Sequence, residues 1–539
     1  MPSARLSAAV EEFEPLLLDE APAAATPSEE QLAIYDWFEH EGGNLVVEAL
    51  AGTGKSSSIL RAIDFAPEDN ILLTAFNKRI QEELEQRLTN PRAKAQTLHS
   101  VGFEAIRRTG WGYVTPKLRG FDREDWLAEQ VTYGAPWGAK RLVGKLCTKA
   151  RELQPIGATV ESLCDLAVQF DLLPGADNTQ LHIEHVASMT LRAMQIAARD
   201  EVGARLTGID GADMIFLPLV NDWLTPQYDM GVVDEYQDLT LAQLTVARRV
   251  CHSYARIALV GDTNQNIYQF KGTDAGSYAQ MKQELRAVLL PLTTTYRCPR
   301  KIVHLAQQYV PHYRAADSAP EGVVDSVESL EQLVEQAEVG DFILSRKNAP
   351  LARVALALLR AHKRAKIQGR ETGAGLKSLV KRLMKGDAAH SVRAFLAKLE
   401  HWRERELSRA YAMKRSDLVD LTNDKADTLQ ALAADASSVQ GLHDIIDTLF
   451  TDRGQGNIVC STVHKAKGLE ADRVFILRHT FNVPVSCQCG HQHYGGAGCR
   501  MCWCKEHVPD PARLQEERNV KYVAITRAKS RLTWCEERF

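Results

Sequence analysis

The feature that most constrains this chain lies at residues 44–65. An apolar run, Asn44–Glu48, leads into Ala49-Leu-Ala-Gly-Thr-Gly-Lys55-Ser56, and a helical pattern follows over Ser57–Phe65. A buried strand, a glycine-rich turn and a helix, in that order, form a phosphate-binding loop. Gly52 and Gly54 let the backbone wrap an anion, so that freed N–H groups and the helix N-terminus face it. Residues Ala51, Gly52, Thr53, Gly54, Lys55, Ser56 and Ser57 are therefore the candidate nucleotide-binding set. Lys55 is expected to reach the β- and γ-phosphates and Ser56 to ligate Mg²⁺. Ala49 stands where the common form of this loop opens with glycine.

Further short apolar runs predict buried parallel strands: Asn44–Leu50, Ile71–Phe76, Gly231–Tyr236, Arg256–Asp262, Asp341–Ser345, Asn457–Thr462 and Arg473–Leu477. Helical patterns lie between them, which gives an α/β class with parallel sheets. The runs fall into two groups, before residue 265 and after residue 340, so two P-loop-type α/β cores are expected. A chain of 539 residues has room for such a division at roughly 100–200 residues per domain. The expected boundaries are a flexible leader at 1–26; a first core from 27–104 and 226–290; a helical insertion at 105–225; a second core from 291–355 and 453–539; and a reduced helical insertion at 356–452. A Cys/His-rich insert is placed within the second core at 482–510. No fused nuclease or long partner-binding tail is expected after the last core segment.

The net charge of −4 argues against a passive nucleic-acid coat, which would be basic, but not against a protein with one positive groove. No run of ~18 apolar residues predicts a membrane span. The first residues lack the basic and apolar regions of a secretory signal. A location in the cytoplasm of a bacterium or phage-infected cell, or in a eukaryotic nucleus, follows as the expectation. Without export, the 11 cysteines do not read as a disulfide framework.

Gly231-Val-Val-Asp234-Glu235-Tyr-Gln237-Asp238 sets carboxylates at the end of a buried strand. Beside a phosphate loop, Asp234 fits a Mg²⁺-binding role and Glu235 fits the base that orients and deprotonates an attacking water. Another strand ends at Gly261-Asp262, and Gln265 follows as a candidate γ-phosphate sensor, with the aromatics Tyr268 and Phe270 after it.

This ordered set resembles superfamily 1 helicases of the UvrD/Rep type and is also similar to the F-box DNA helicases. The resemblance spans about Pro27 to Leu532. It implies two RecA-like domains and gives further residues roles. Gln31 looks like the adenine-reading glutamine. Thr74-Ala-Phe76-Asn77-Lys78 and Thr97-Leu-His99-Ser100 resemble strand-contact motifs, which makes Phe76, Asn77, Thr97 and His99 candidate nucleic-acid residues. Gly261–Gly272 resembles the third motif, with Phe270 and Lys271 where the family usually has Trp and Arg. Tyr296-Arg297 resembles the fourth: Tyr296 would stack on adenine and Arg297 would touch the γ-phosphate. Thr462-Val-His464-Lys-Ala-Lys467-Gly468-Leu-Glu470 resembles the fifth, with Glu470 at the ribose and Thr462 and His464 facing the strand. Tyr522-Val-Ala-Ile-Thr526-Arg527-Ala528 resembles the sixth, with Arg527 as the arginine finger.

The resemblance implies an ATP-dependent DNA helicase or translocase with ATP and Mg²⁺ as ligands. It would run 3′ to 5′ on single-stranded DNA and meet single-strand/duplex junctions in repair or recombination. RNA remains an alternative track, and protein partners are unassigned. Two rival readings stay open: a translocase that strips proteins from DNA without productive unwinding, and a DNA-binding scaffold with a vestigial ATP site. The insert departs from the family pattern. Cys487, Cys489, Cys499 and Cys502 suit a tetrahedral structural Zn²⁺ site, with Cys504, His491, His493 and His507 as alternates. An iron–sulfur cluster and unliganded thiols are the alternatives.

Overall fold

The computed structural model describes residues 26–538, apart from 112–121, 137, 171, 173–180, 268–282, 284, 386–390, 413–415, 451–456, 482–484, 488–491, 494–506 and 509–510. Among the described residues two six-stranded sheets dominate, and every strand pair within them is parallel. The α/β class with parallel sheets therefore holds.

The first sheet is built from β1 (Leu45–Ala49), β2 (Ile71–Ala75), β3 (Ala93–Thr97), β4 (Tyr228–Asp234), β5 (Cys251–Gly261) and β6 (Val288–Leu292), in the order β3-β2-β4-β5-β1-β6. A two-stranded pair, β7 (Thr294–Thr295) with β8 (Arg314–Ala315), follows it. The second large sheet uses β9 (Val323–Val327), β10 (Phe342–Ser345), β11 (Ala365–Ile367), β12 (Ile458–Thr462), β13 (Ala471–Leu477) and β17 (Ala528–Cys535), ordered β11-β12-β10-β13-β17-β9. Between β13 and β17 lie β14 (Val485–Cys487), β15 (Gln492–His493) and β16 (His507–Val508), a small antiparallel sheet.

The central strands are apolar because helices cover both faces of a parallel sheet. Leu45, Val46 and Val47 on β1 and all five residues of β2 are buried. That is why the longer apolar runs were legible in sequence. β3, β6, β9 and β11 escaped because they lie at sheet edges, with exposed or half-buried positions and polar residues such as Lys94, Gln96 and Lys366. β17 opens on Ala-Lys-Ser-Arg, which hides its apolar second half.

Boundaries also differ. The run Gly231–Tyr236 stops being strand at Asp234, because Glu235 takes a left-handed backbone (φ +50°) and starts a 3₁₀ turn. The helix after the phosphate loop begins at Lys55, not Ser57, with left-handed Gly54 at its N-cap.

Helices between β3 and β4, from Asp122–Glu129 to Gly211–Val220, share their own apolar core. A buried charge network pins it: Arg151 bonds Asp210 and Asp213, and Arg123 bonds Asp200 and Asp213. The helix Leu98–Arg107 crosses Gly211–Val220 at Gly102, where a Cβ would come within 1.8 Å of the Met214 carbonyl. Helices from Asn348–Arg360 to Val439–Leu449 pack into one continuous core with the second sheet. Among the described residues, no helix is long and apolar enough to cross a membrane.

A candidate active site between the two sheets

The phosphate loop leaves the carboxyl end of β1 and carries Lys55 into the first turn of the helix Lys55–Phe65. Gly52 and Gly54 have φ of +68° and +74°, values that L side chains rarely adopt. Gly52 has a second constraint, since a Cβ there would lie 2.5 Å from Cβ of Arg297. Thr53 donates its hydroxyl to the Leu50 carbonyl, which tightens the loop internally. Ser57 accepts from Arg87, and Ser58 donates to the Gly54 carbonyl. Ser56 sits half-buried in the same first turn as Lys55.

Lys55 Nζ lies 3.1 Å from Asp234 and 2.5 Å from Glu235. Burial disfavours its charge, but the two carboxylates outweigh burial and hold its pKa above the ordinary lysine range. Glu235 is likewise opposed by burial, yet Lys55 and Lys467 draw it down to about 2. Burial dominates at Asp234, whose pKa is raised. Gln237 links two motifs: its amide donates to Glu235 and its carbonyl oxygen accepts the Asp262 N–H at 3.1 Å. The Gln265 amide donates to Asp262 at 2.8 Å, and burial pushes Asp262 up to about 6.

The segment after β7 and residues flanking the second sheet close over this loop. Tyr296 N–H donates to the Gly52 carbonyl at 2.8 Å, while its ring is 47% exposed and free to present a face. Arg297 Nε lies 2.5 Å from Glu470, which also meets Lys529 at 3.2 Å. Arg527 is almost fully buried and donates to the Val523 and Leu469 carbonyls and to the Thr526 hydroxyl. Burial, then the neighbouring Arg297 charge, lowers its pKa to about 10. Gln31 completes a capping box with Ser28 and donates to Ser58, which places it beside Gly54.

Several contacts join the two cores through residues to which the sequence gave no role: Lys467, Asp238 and Tyr522 stand within motifs, and Asn519 outside them. Lys467 donates to both oxygens of Asp238, at 2.7 and 2.6 Å, and to the Gln265 carbonyl. Asn519 donates to the Asn266 carbonyl at 2.9 Å. Tyr522 and Tyr313 both meet Ala51. Tyr313 lies outside every motif, and no sequence signal marks it.

The candidate strand-contact residues occupy both cores. Phe76 is exposed at the end of β2, and Asn77 caps the helix Lys78–Arg87 by accepting from Ile80 N–H. Thr97 caps Leu98–Arg107 in the same way, and burial lowers the pKa of half-buried His99. Thr462 ends β12, with His464 half-buried in the short helix after it. Tyr268 and Phe270 lie outside the described residues. So do Cys489, His491, Cys499, Cys502 and Cys504, whereas Cys487, His493 and His507 fall on β14, β15 and β16, and Cys487 pairs in register with His507. Among the described residues no group of Cys, His, Asp or Glu is arranged to hold a metal.

Two family models match the chain: a UvrD-like helicase C-terminal domain over residues 375–537 and an AAA domain over residues 38–271. F-box DNA helicase protein 1 of Schizosaccharomyces pombe is 25% identical over 93% of this chain and 56% of its own length. The ATP-dependent DNA helicase PcrA of Staphylococcus aureus is 22% identical over 50% of this chain and 38% of its own length. PcrA of Leuconostoc citreum is 23% identical over 50% and 37%. The chain thus spans about half the length of the first of these curated relatives and less of the others.

Proposed function

We propose that this chain is a UvrD-like superfamily 1 helicase, similar to its curated relatives, and that it hydrolyses ATP between its two cores to move along single-stranded DNA. The observation that carries the reading is the convergence of Lys55, Asp234 and Glu235 from one core with Arg297 and Arg527 from the other, across a phosphate loop that both cores hold. The curated relatives are named as DNA helicases.

The residues fit this chemistry. Gly52 and Gly54 keep the loop backbone open to an anion, Ser56 and Asp234 supply the oxygens a Mg²⁺ needs, and the bound metal would neutralise phosphate charge. Lys55, held by Asp234 and Glu235, is free to exchange carboxylate for phosphate without crossing a large distance. Glu235, kept ionised by Lys55 and Lys467, can accept a proton from an attacking water, and Gln237 fixes its orientation. Gln265 links that centre to Asp262. Arg297 and Arg527 would add positive charge when the cores close, so turnover depends on closure. Gln31 and Tyr296 border the place where a base would sit, and Glu470 borders the ribose side.

Phe76, Asn77, Thr97 and His99 on one core, with Tyr268, Phe270, Thr462 and His464, would line a strand track. Aromatic faces accept any base, so binding is sequence-tolerant. We assign 3′ to 5′ movement and action at single-strand/duplex junctions by family likeness. The cores are read as 27–104 with 226–290 and 291–355 with 453–539; 105–225 and 356–452 are read as helical insertions. The 482–510 insert is read as a structural zinc clip on Cys487, Cys489, Cys499 and Cys502. Metal analysis of the purified protein tests this, and the finding of neither zinc nor iron at stoichiometric level would end it.

The test of the main reading is ATP turnover measured in parallel with single-stranded DNA, single-stranded RNA and no nucleic acid. Stimulation by DNA is expected; equal turnover in all three would remove the translocation reading.

A further inference from the structure

Apart from the candidate catalytic groups, the opposite core grips the loop from both sides of one residue, Ala51. Its N–H donates to the Tyr522 hydroxyl oxygen at 3.0 Å, and its carbonyl accepts from the Tyr313 hydroxyl at 2.8 Å. Both tyrosines are fully buried, and their rings meet edge to face, with centroids 5.7 Å apart. One residue later, the Gly52 carbonyl takes the Tyr296 N–H. The second core thus holds three backbone polar groups on two consecutive residues of the loop. Each contact leads to an arginine. Tyr296 precedes Arg297, Tyr313 meets the hydroxyl of Thr295, which accepts the Arg297 N–H, and Tyr522 accepts on its own carbonyl from the N–H and hydroxyl of Thr526, the residue before Arg527. A tyrosine has few rotatable bonds, and these rings are packed, so a shift of the Ala51 backbone is passed on rather than absorbed.

We propose that Tyr313 and Tyr522 are positioning residues that couple the state of the phosphate loop to the two arginines of the second core. Phosphate entering the loop moves Ala51, and the two hydroxyls carry that movement to Arg297 and Arg527. The inference rests on the ATP-driven reading above, but part of its test does not.

The experiment compares the wild type with Tyr313→Phe, Tyr522→Phe and the double variant. These keep both rings and delete only the hydroxyls. Thermal unfolding establishes that each variant is folded, and a single variant replaces the double if the double is not. Hydrogen exchange is followed with and without a non-hydrolysable ATP analogue. In the wild type, protection is expected to spread from residues 49–60 into 294–316 and 518–528. In the double variant it should stay within 49–60. Turnover is measured alongside. DNA-stimulated kcat should fall roughly three- to tenfold per hydroxyl, the loss of about one hydrogen bond, while KM for ATP changes less than about twofold. Unchanged spread of protection in the folded variant overturns the proposal, as does a rise in KM for ATP with kcat unchanged. A wild type that shows spread of protection but no DNA stimulation sinks the translocation reading and leaves the clasp standing.

Discussion

Each core contributes buried cations to the same cleft, but they are kept in opposite electrostatic states. Lys55, from the first core, sits between Asp234 and Glu235, which hold its charge above the ordinary lysine range against burial. Arg527, from the second, is bonded to two carbonyls and a hydroxyl; burial, then the neighbouring Arg297, lowers its pKa to about 10. The lysine has its counter-charge built in; the arginine is held by dipoles that neutralise it less. Such an arginine gains more from an arriving anion, because burying a charge without a full counter-charge is costly. The difference teaches which side of the cleft is prepaid and which depends on a ligand.

The largest effects should come from removing these two groups. Lys55→Ala and Arg527→Ala are each expected to lower DNA-stimulated ATP turnover by ~10³ or more, about 4 kcal/mol in barrier. They should part company without nucleotide. Lys55→Ala leaves Asp234 and Glu235 facing each other and should lower the melting temperature, whereas Arg527→Met should leave it unchanged or raise it. Equal destabilisation by both would erase the contrast. Next is the pair between cores. Lys467→Met strands buried Asp238 and should cost about 3 kcal/mol, and adding Asp238→Asn should return part of it. Calorimetry of the two variants decides, and no recovery in the double variant would mean that the pair is not what Lys467 supplies.

A smaller effect concerns pH. Asp262 has its folded pKa raised from 3.8 to about 6, so the folded state binds more protons than the unfolded one between those values. Its contribution therefore falls as pH rises from about 4 to 6, by on the order of 1–2 kcal/mol. Glu235 acts the other way: its pKa is lowered from 4.5 to about 2, so its contribution is present above about 4.5 and lost below. Asp262→Asn should flatten the first dependence in urea titrations at pH 4 and pH 6; an unaltered slope would place the cause elsewhere. The smallest is Thr97→Ala, which removes a helix cap and should cost about 1 kcal/mol. Thr97→Asn should restore stability, and weaker DNA binding by that variant would separate strand contact from capping.

Much of the first core was readable because its chemistry is local. A phosphate loop needs strand, glycines and lysine within a dozen residues, and β1, β2 and β4 announce themselves by burial on both faces. Edge strands β3 and β11 did not, since a strand with one solvated side carries no continuous apolar run. The acidic motif was visible at Asp234 and Glu235, but not the left-handed turn at Glu235 that ends the strand and aims its carboxylate.

Sequence by itself determined the α/β class and the residues of the phosphate loop, because those depend on periodicity and on side chains close along the chain. Only the tertiary structure decided how the second core engages that loop. Tyr313 and Ala51 are 262 residues apart, Tyr522 and Ala51 are 471 apart, and Lys467 and Asp238 are 229 apart. Buried hydrogen bonds at such separations are set by how two sheets pack, and no local pattern records which hydroxyl will meet which peptide group.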